Sequence, residues 1–185
     1  MLAAPRPASA GSSHPAVGVG VGFGWATTKL EGERQRTGAI AVAVELGREL
    51  LPGFEITAGM YGLLAVQVEA DSSRHDYSGM LFGARWSPFR TPRSGDSDTT
   101  FDGSAVSVSA ALGPWINYRV DKGAFVSGYH AESVGLTARA SVEWLPLLVR
   151  GSAVGLDASG WLTPIGNAMF PRASASLGIV MHSAW

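Results

Sequence analysis

The sequence predicts an all-β fold: an up-and-down antiparallel transmembrane β-barrel of about eight strands. From Val17 to Trp25, large apolar residues alternate with glycine, and only an extended strand turns a period of two into two different faces. The same alternation, with small, polar or charged residues opposite, returns along the chain as far as Trp185, which is typical of a barrel whose apolar face meets lipid. No apolar run approaches the ~20 residues of a membrane-spanning helix, so any membrane crossing must use strands.

Length and composition narrow the possible classes. A chain of 185 residues fits one domain, which we assign to residues 15–185, with 1–14 as a disordered leader or the remnant of a signal region. Ala8-Ser9-Ala10 has the spacing of a signal cleavage site, but the charged start and apolar core of ~7–15 residues that should precede it are missing. The net charge of -1 and the scattered cations offer no basic patch for nucleic acid. Without cysteine there is no thiolate or disulfide chemistry.

Four strands are expected in the first half of the chain, separated by polar loops or a tight turn. The charged segment 29–36 follows the first strand as an exposed loop. Bulky residues at alternate positions of the second strand would spread around a helical cylinder, so a strand is favoured there over a helix. Leu51-Pro52-Gly53 predicts a tight turn before the third strand. The four predicted strands are 17–25, 39–47, 54–69 and 77–87.

The second half supplies four more strands after a long connection, residues 88–103, which is the least ordered stretch by composition. Pro114 lies in the middle of the fifth strand and cannot donate a ladder hydrogen bond, so we expect a bulge or a local break there. Pro146 stops or bends the sixth strand. The four predicted strands are 105–120, 136–144, 154–163 and 173–185.

The end of the chain carries a recognisable signal. Leu177, Ile179 and Met181 precede the aromatic C-terminal Trp185 at alternate positions, although Ser183 interrupts the series. With this ending and its even strand count, the chain from about Pro15 onward resembles the small eight-stranded outer-membrane β-barrels of Gram-negative bacteria, in which such an ending is the signal for assembly. The resemblance implies a bacterial outer-membrane location, with membrane lipid, lipopolysaccharide and the barrel-assembly machinery as partners.

Aromatic residues are expected to form an interfacial girdle at one rim. When the strands are laid alternately up and down with both termini on the periplasmic side, four aromatic residues collect at that end: Phe54, Trp86, Trp144 and Trp185. The same topology puts the long connection 88–103 on the periplasmic side, where turns are usually short. A missed strand pair or a different orientation would account for it.

Catalytic and metal-binding patterns are sparse. His130, Glu132 and Ser133 invite comparison with the lipid A deacylases, barrels of this size that use Ser, His and an acid. The spacing here is His-x-x-Ser rather than His-x-Ser, which would place the two side chains on opposite faces of a strand. The only inward pairing available for a metal is His182 with Asp157. The sequence therefore predicts no catalytic residue, metal or cofactor.

Six charged residues occupy the alternate strand positions that are expected to face the barrel interior. They should form a buried network near the periplasmic rim: Glu45, Glu55, Arg85, Arg139, Glu143 and Asp157. Charges shielded from water must be paired or hydrogen-bonded, and both signs are present. If the connection between the sixth and seventh strands is centred near Val149, Asp157 lies diagonal to both Arg139 and Glu143. Arg139 is then expected to bridge these two carboxylates.

These features predict an outer-membrane barrel with a filled, non-conducting lumen and a structural, anchoring or surface-interaction role. A protein partner bound through the loops would fit that role. Two alternatives stay open: a lipid-modifying enzyme of the same membrane, similar to the lipid A deacylases, and a soluble ligand-binding barrel of lipocalin type. The soluble barrel would need its apolar residues inside and its polar residues outside.

Overall fold

Nine β-strands make up the fold in a computed structural model that describes residues 16–30, 33–51, 53–66, 74–89, 99–101, 106–121, 128–149, 152–166 and 170–183. The predicted leader, 1–14, lies outside these residues. None of the described residues belongs to a helix long and apolar enough to cross a membrane. The strands are β1 (Ala16–Leu30), β2 (Glu33–Leu51), β3 (Phe54–Ala65), β4 (Arg74–Phe89), β5 (Thr99–Phe101), β6 (Val106–Val120), β7 (Tyr129–Val149), β8 (Ser152–Ile165) and β9 (Ala173–Ser183).

Eight of these strands close into an up-and-down ring, as predicted. Each long strand pairs antiparallel with its neighbours in the order β1, β2, β3, β4, β6, β7, β8 and β9, and β9 pairs back onto β1. Closure leaves no long strand with an unpaired edge, which is a requirement inside a bilayer. The second predicted strand is a strand and not a helix, because it lies within β2.

The register of the ladders fixes the shape of the barrel. A row of paired residues that starts at Phe54 and crosses the other seven strands returns to β3 at Leu64, ten residues farther along. An eight-stranded barrel with this stagger has strands tilted by about 40° and a radius of about 8 Å. Its interior is therefore only wide enough for side chains of opposite walls to meet.

Side chains alternate between an apolar outer face and a polar or small inner face. On β2, Val44 and Leu46 are 52% and 56% exposed, whereas Glu45 between them is 4% exposed. On β1, Phe23 is 72% exposed, while the inward positions are glycine. The soluble lipocalin-type alternative is therefore wrong, because it requires the opposite distribution. The outward apolar side chains form a band suited to lipid.

The two prolines inside strands act differently from one another. The pairing of β6 with β4 keeps one register on both sides of Pro114, so the expected bulge is absent, but the ladder lacks the two pairs between Gly79 and Phe82. A proline without an N–H explains this local break. At Pro146 the sixth predicted strand does not stop, because β7 continues to Val149 with a register shift between Trp144 and Leu147.

Connections at the end that carries both termini, here called the terminus end, are short with one exception. Gly53 turns the chain between β2 and β3 with a φ of 73°, a left-handed conformation that favours glycine, and residues 150–151 join β7 to β8. The exception is the long connection between β4 and β6. The described residues of this connection include an unpredicted short strand, β5, which pairs with residues 147–149 of β7. We call the opposite end of the barrel the loop end.

Candidate functional site in the lumen

The six predicted charged residues lie together inside the barrel, and with His182 they form what we call the charged layer. Five are 2–6% exposed, and the Asp157 side chain is 14% exposed. They project inward from β2, β3, β4, β7 and β8, so the layer crosses the lumen from wall to wall. Glu55 directly follows Phe54 and Arg85 directly precedes Trp86, and Phe54 pairs with Trp86 at the terminus end. The charged layer therefore lies in the terminus-end half of the barrel.

Arg85 is the centre of this layer. Its guanidinium forms ion pairs with Glu45, with Glu55 at 3.2 Å and with Glu143 at 3.4 Å. Tyr61 donates its hydroxyl hydrogen to the second oxygen of Glu45. A planar guanidinium presents five N–H donors, and for this reason one arginine can hold three carboxylates that would otherwise repel one another.

Glu143 has a different set of partners from the one predicted. His182 Nε2 lies 3.0 Å from Glu143 Oε2, and Ser107 donates to the same oxygen at 2.9 Å. The expected bridge from Arg139 to Glu143 is wrong. The cause is the register, since Glu143 and Asp157 are directly opposite each other rather than diagonal.

Arg139 binds Asp157 alone among the carboxylates of the described residues, at 3.1 Å. It also donates to Ser159 at 2.6 Å. Its guanidinium carbon lies 5.0 Å from the ring centroid of Tyr61 and 5.6 Å from that of Trp161. Arg139 therefore joins the charged layer to the aromatic side chains above it. The polar partners Tyr61, Ser107 and Ser159 were missed because their only signal in the sequence is inward parity.

An aromatic layer lies in the lumen toward the loop end. Its members are buried side chains from opposite walls: Ala39, Ala41, Tyr61, Leu63, Tyr77, Leu81, Ala111, Trp115, Trp161 and Phe170. Phe170 does not belong to a strand but to the connection between β8 and β9, and it is fully buried. Its ring centroid lies 6.1 Å from that of Tyr77. A loop thus contributes an aromatic side chain to the interior.

The glycines of β1 make room for the side chains that cross the lumen. A Cβ atom at Gly18 would lie 2.7 Å from His182 Nδ1, closer than such atoms can approach. Any larger residue at this position would push His182 away from Glu143. The alternation that predicts a strand therefore also makes room for the charged layer.

The proposed girdle residues Phe54, Trp86 and Trp144 are 37–54% exposed and lie at the terminus end, where Phe54 pairs directly with Trp86. Trp185 lies outside the described residues. The other residues proposed as an assembly signal all face outward on β9 and are 45–69% exposed: Leu177, Ile179 and Met181. Nothing in the structure tests recognition by an assembly machinery.

The candidate catalytic residues lie at the loop end. The prediction that His130 and Ser133 face opposite sides is wrong, because a bulge leaves Glu132 unpaired: His130 is opposite Arg119, and Ser133 is opposite Asn117, two positions away. His130 nevertheless contacts Asp121 at 2.9 Å, and Ser133 Oγ has no hydrogen-bond partner among the described residues. Within those residues, no three His, Asp or Glu side chains converge as metal ligands.

No protein-family model and no curated protein sequence matches this chain. Solved structures do match it. A crystal structure of the Neisserial surface protein A, NspA, has a TM-score of 0.65 and 11% identity and covers 96% of this chain and 100% of its own. The attachment invasion locus protein of Yersinia pestis, Ail, has a TM-score of 0.53 and 10% identity and covers 90% of this chain and 95% of its own. A second Ail structure, with the heparin analogue sucrose octasulfate, has a TM-score of 0.52 and 11% identity and covers 91% of this chain and 96% of its own. The chain has the fold of the small eight-stranded outer-membrane β-barrels.

Proposed function

We propose that this protein is an outer-membrane anchor with a closed lumen, which holds its loop end at the cell surface for interaction with an extracellular partner. The observation that carries the proposal is the double filling of the lumen. The charged layer spans one half of the barrel and the aromatic layer the other. We expect a barrel of about 8 Å radius that is crossed twice by side chains to leave no continuous path for ions.

Planar bilayers test the closed lumen. Purified, refolded protein should insert without producing steady ohmic current steps. Ions could cross the lumen only if the charged layer and the aromatic layer both opened. Steady, ion-selective channels would refute the closed lumen. The folded state of each sample is checked by its different gel mobility with and without boiling.

The orientation follows from the short connections at the terminus end, which outer-membrane barrels keep on the periplasmic side. An epitope tag inserted in the loop-end connection 122–127 should bind antibody on intact cells that express the protein. A matched tag in the terminus-end connection 150–151 should bind only after the cells are opened. The reverse pattern would show that the orientation is wrong.

The kind of partner is proposed from the charges at the loop end and from the neighbours' names. NspA is described as a surface protein and Ail as an attachment protein, and one Ail crystal contains a heparin analogue. In this chain the ion pairs of the described loop-end residues join two arginines to three carboxylates: Arg74, Asp76, Arg119, Asp121 and Glu132. Both signs of charge recur at the facing ends of β1 and β2, in Lys29, Glu33, Arg34 and Arg36. Mixed charges suit a protein surface better than a polyanion. We therefore expect weak or no binding of sucrose octasulfate, and saturable, salt-sensitive binding of it would refute this partner class.

A lipid A deacylase activity is the second candidate and has less support. A nucleophilic serine needs a base within hydrogen-bond reach, but His130 contacts Asp121 and Ser133 has no such partner among the described residues. Lipid A extracted from cells that express the protein should keep its mass. A loss of one acyl chain that is abolished by Ser133→Ala would establish the enzyme instead.

A further inference from the structure

The lumen contains a small cavity between the glycines of β1 and the charged layer. Its volume is about 30 Å³, which is enough to hold a water molecule. Gly18, Gly20 and Gly22 line one side of it, while Arg139 and Trp161 are among the residues on the other. We call this space the lumen cavity.

Two hydrogen-bond donors on residues that line the lumen cavity have neither a hydrogen bond nor an ion-pair contact among the described residues. They are Arg139 Nε and Trp161 Nε1. A third donor, Arg85 Nε, makes no hydrogen bond among the described residues but lies 3.4 Å from Glu143 Oε2, within ion-pair distance. Arg139 and Trp161 are only 6% and 5% exposed, so bulk water does not reach them freely. A buried donor without an acceptor destabilises the folded state, and two of them next to one cavity call for an acceptor inside it.

The carboxylates that line the same cavity decide the chemistry of that acceptor. Glu45, Glu143 and Asp157 on its wall outnumber the two guanidiniums, those of Arg85 and Arg139, and this excess of negative charge disfavours a halide or any other anion. A water molecule can accept two N–H hydrogen bonds and donate two to carboxylate oxygens. Only a ligand that both accepts and donates hydrogen bonds can satisfy the N–H donors and the carboxylate oxygens at the same time.

We infer that the lumen cavity is a binding site for one structural water, which accepts from Arg139 and Trp161 and donates to the surrounding carboxylates. This water links the Arg139–Asp157 ion pair to the group around Arg85. It is therefore a component of the charged layer rather than trapped solvent. The inference concerns the interior alone and does not depend on what the loops bind.

Gly20→Ala tests the site by filling it. A Cβ atom at Gly20 would meet Ile179 O at 3.6 Å, Ala43 Cβ at 3.7 Å and Val180 Cγ2 at 3.8 Å, all ordinary contacts. The alanine therefore fits the barrel wall but occupies cavity space and displaces the water. The matched control is Gly160→Ala, whose new Cβ points outward and has Ser174 O at 3.9 Å as its nearest neighbour.

Only one of the two alanine variants should lose stability. Gly160→Ala should leave the unfolding equilibrium constant unchanged or lower it, since alanine restricts the unfolded chain. Gly20→Ala should raise that constant roughly tenfold, equivalent to about 1.4 kcal/mol, because the donors of Arg139 and Trp161 lose their acceptor. Equal or greater stability of Gly20→Ala relative to Gly160→Ala would show that the cavity is dry.

A crystal structure in detergent gives the direct observation. The expected result is one density peak within about 3.2 Å of Arg139 Nε and Trp161 Nε1, a normal hydrogen-bond distance, that is lost in Gly20→Ala. Crystals soaked in bromide should show no anomalous peak at the same position. Bromide bound there, or a cavity without density, would overturn the inference.

Discussion

Arg85→Met should cost more stability than any other single change in the charged layer. Arg85 is 2% exposed and is paired with Glu45, Glu55 and Glu143. Removing one partner of a buried ion pair costs about 3–5 kcal/mol, because the remaining charge is left uncompensated. Since three carboxylates lose their common cation, we expect a cost near the upper end, about 5 kcal/mol.

The matched control is Arg119→Met, which removes a guanidinium from the loop end by the same substitution. Arg119 is also within ion-pair distance of two acids, at 3.5 Å to Glu132 and 3.7 Å to Asp121, but its side chain is 48% exposed. Exposed pairs contribute about 0–1 kcal/mol. The two arginines thus differ chiefly in burial. The comparison therefore isolates how burial changes the cost of losing the guanidinium.

Urea titration of the refolded barrel in detergent measures both variants, with the folded fraction read from gel mobility without boiling. Adding Glu55→Gln to Arg85→Met should restore part of the lost stability, because the glutamine removes one of the carboxylates that lost their cation. If Arg85→Met and Arg119→Met have equal midpoints, or if Glu55→Gln lowers the midpoint further, the account of the charged layer is refuted.

Three further changes are measured by the same titration. Tyr61→Phe should cost about 1–3 kcal/mol, because Glu45 loses a buried donor; an unchanged midpoint would mean that this hydroxyl faces water. Phe170→Ala should cost about 3–5 kcal/mol through the cavity it leaves in the aromatic layer, and a cost below 1 kcal/mol would show that the loop does not pack inside. Val44→Arg, near the middle of the apolar band, should cost about 2–4 kcal/mol, whereas Leu50→Arg on the same face at its rim should cost about 0–1 kcal/mol; equal costs would contradict a membrane-spanning band.

Much of the fold follows from period-two alternation, because in a closed barrel parity alone decides which side chains face lipid. Val44 and Glu45 are adjacent in sequence yet lie on opposite sides of the wall, as their parity predicts. The short strand β5 was not predicted, because three residues are too few to show an alternating pattern. Parity also identified the charged residues, since an ionisable side chain on the inner face has nowhere else to find partners.

The pairing within the charged layer could not be predicted, because it depends on register. Moving the β7–β8 pairing by one residue on each strand decides whether Asp157 is diagonal to Glu143 or directly opposite. The two-residue connection 150–151 together with the register shift between Trp144 and Leu147 sets it opposite. The bulge at Glu132 similarly reverses the expected faces of His130 and Ser133. Contacts made by a loop residue, such as Phe170 against Tyr77, leave no periodic signal at all.

The assignment of inner and outer faces is tested most directly by quenching of tryptophan fluorescence in vesicles of acyl-chain-brominated lipid. Trp161 is 5% exposed inside the lumen, and Phe82 is 56% exposed on the outer face. Two single-tryptophan proteins are compared, one that retains only Trp161 and one whose only tryptophan is introduced by Phe82→Trp. Strong quenching at position 82 with little quenching at Trp161 is the expected result. Equal quenching at both positions, or stronger quenching at Trp161, would contradict the barrel described.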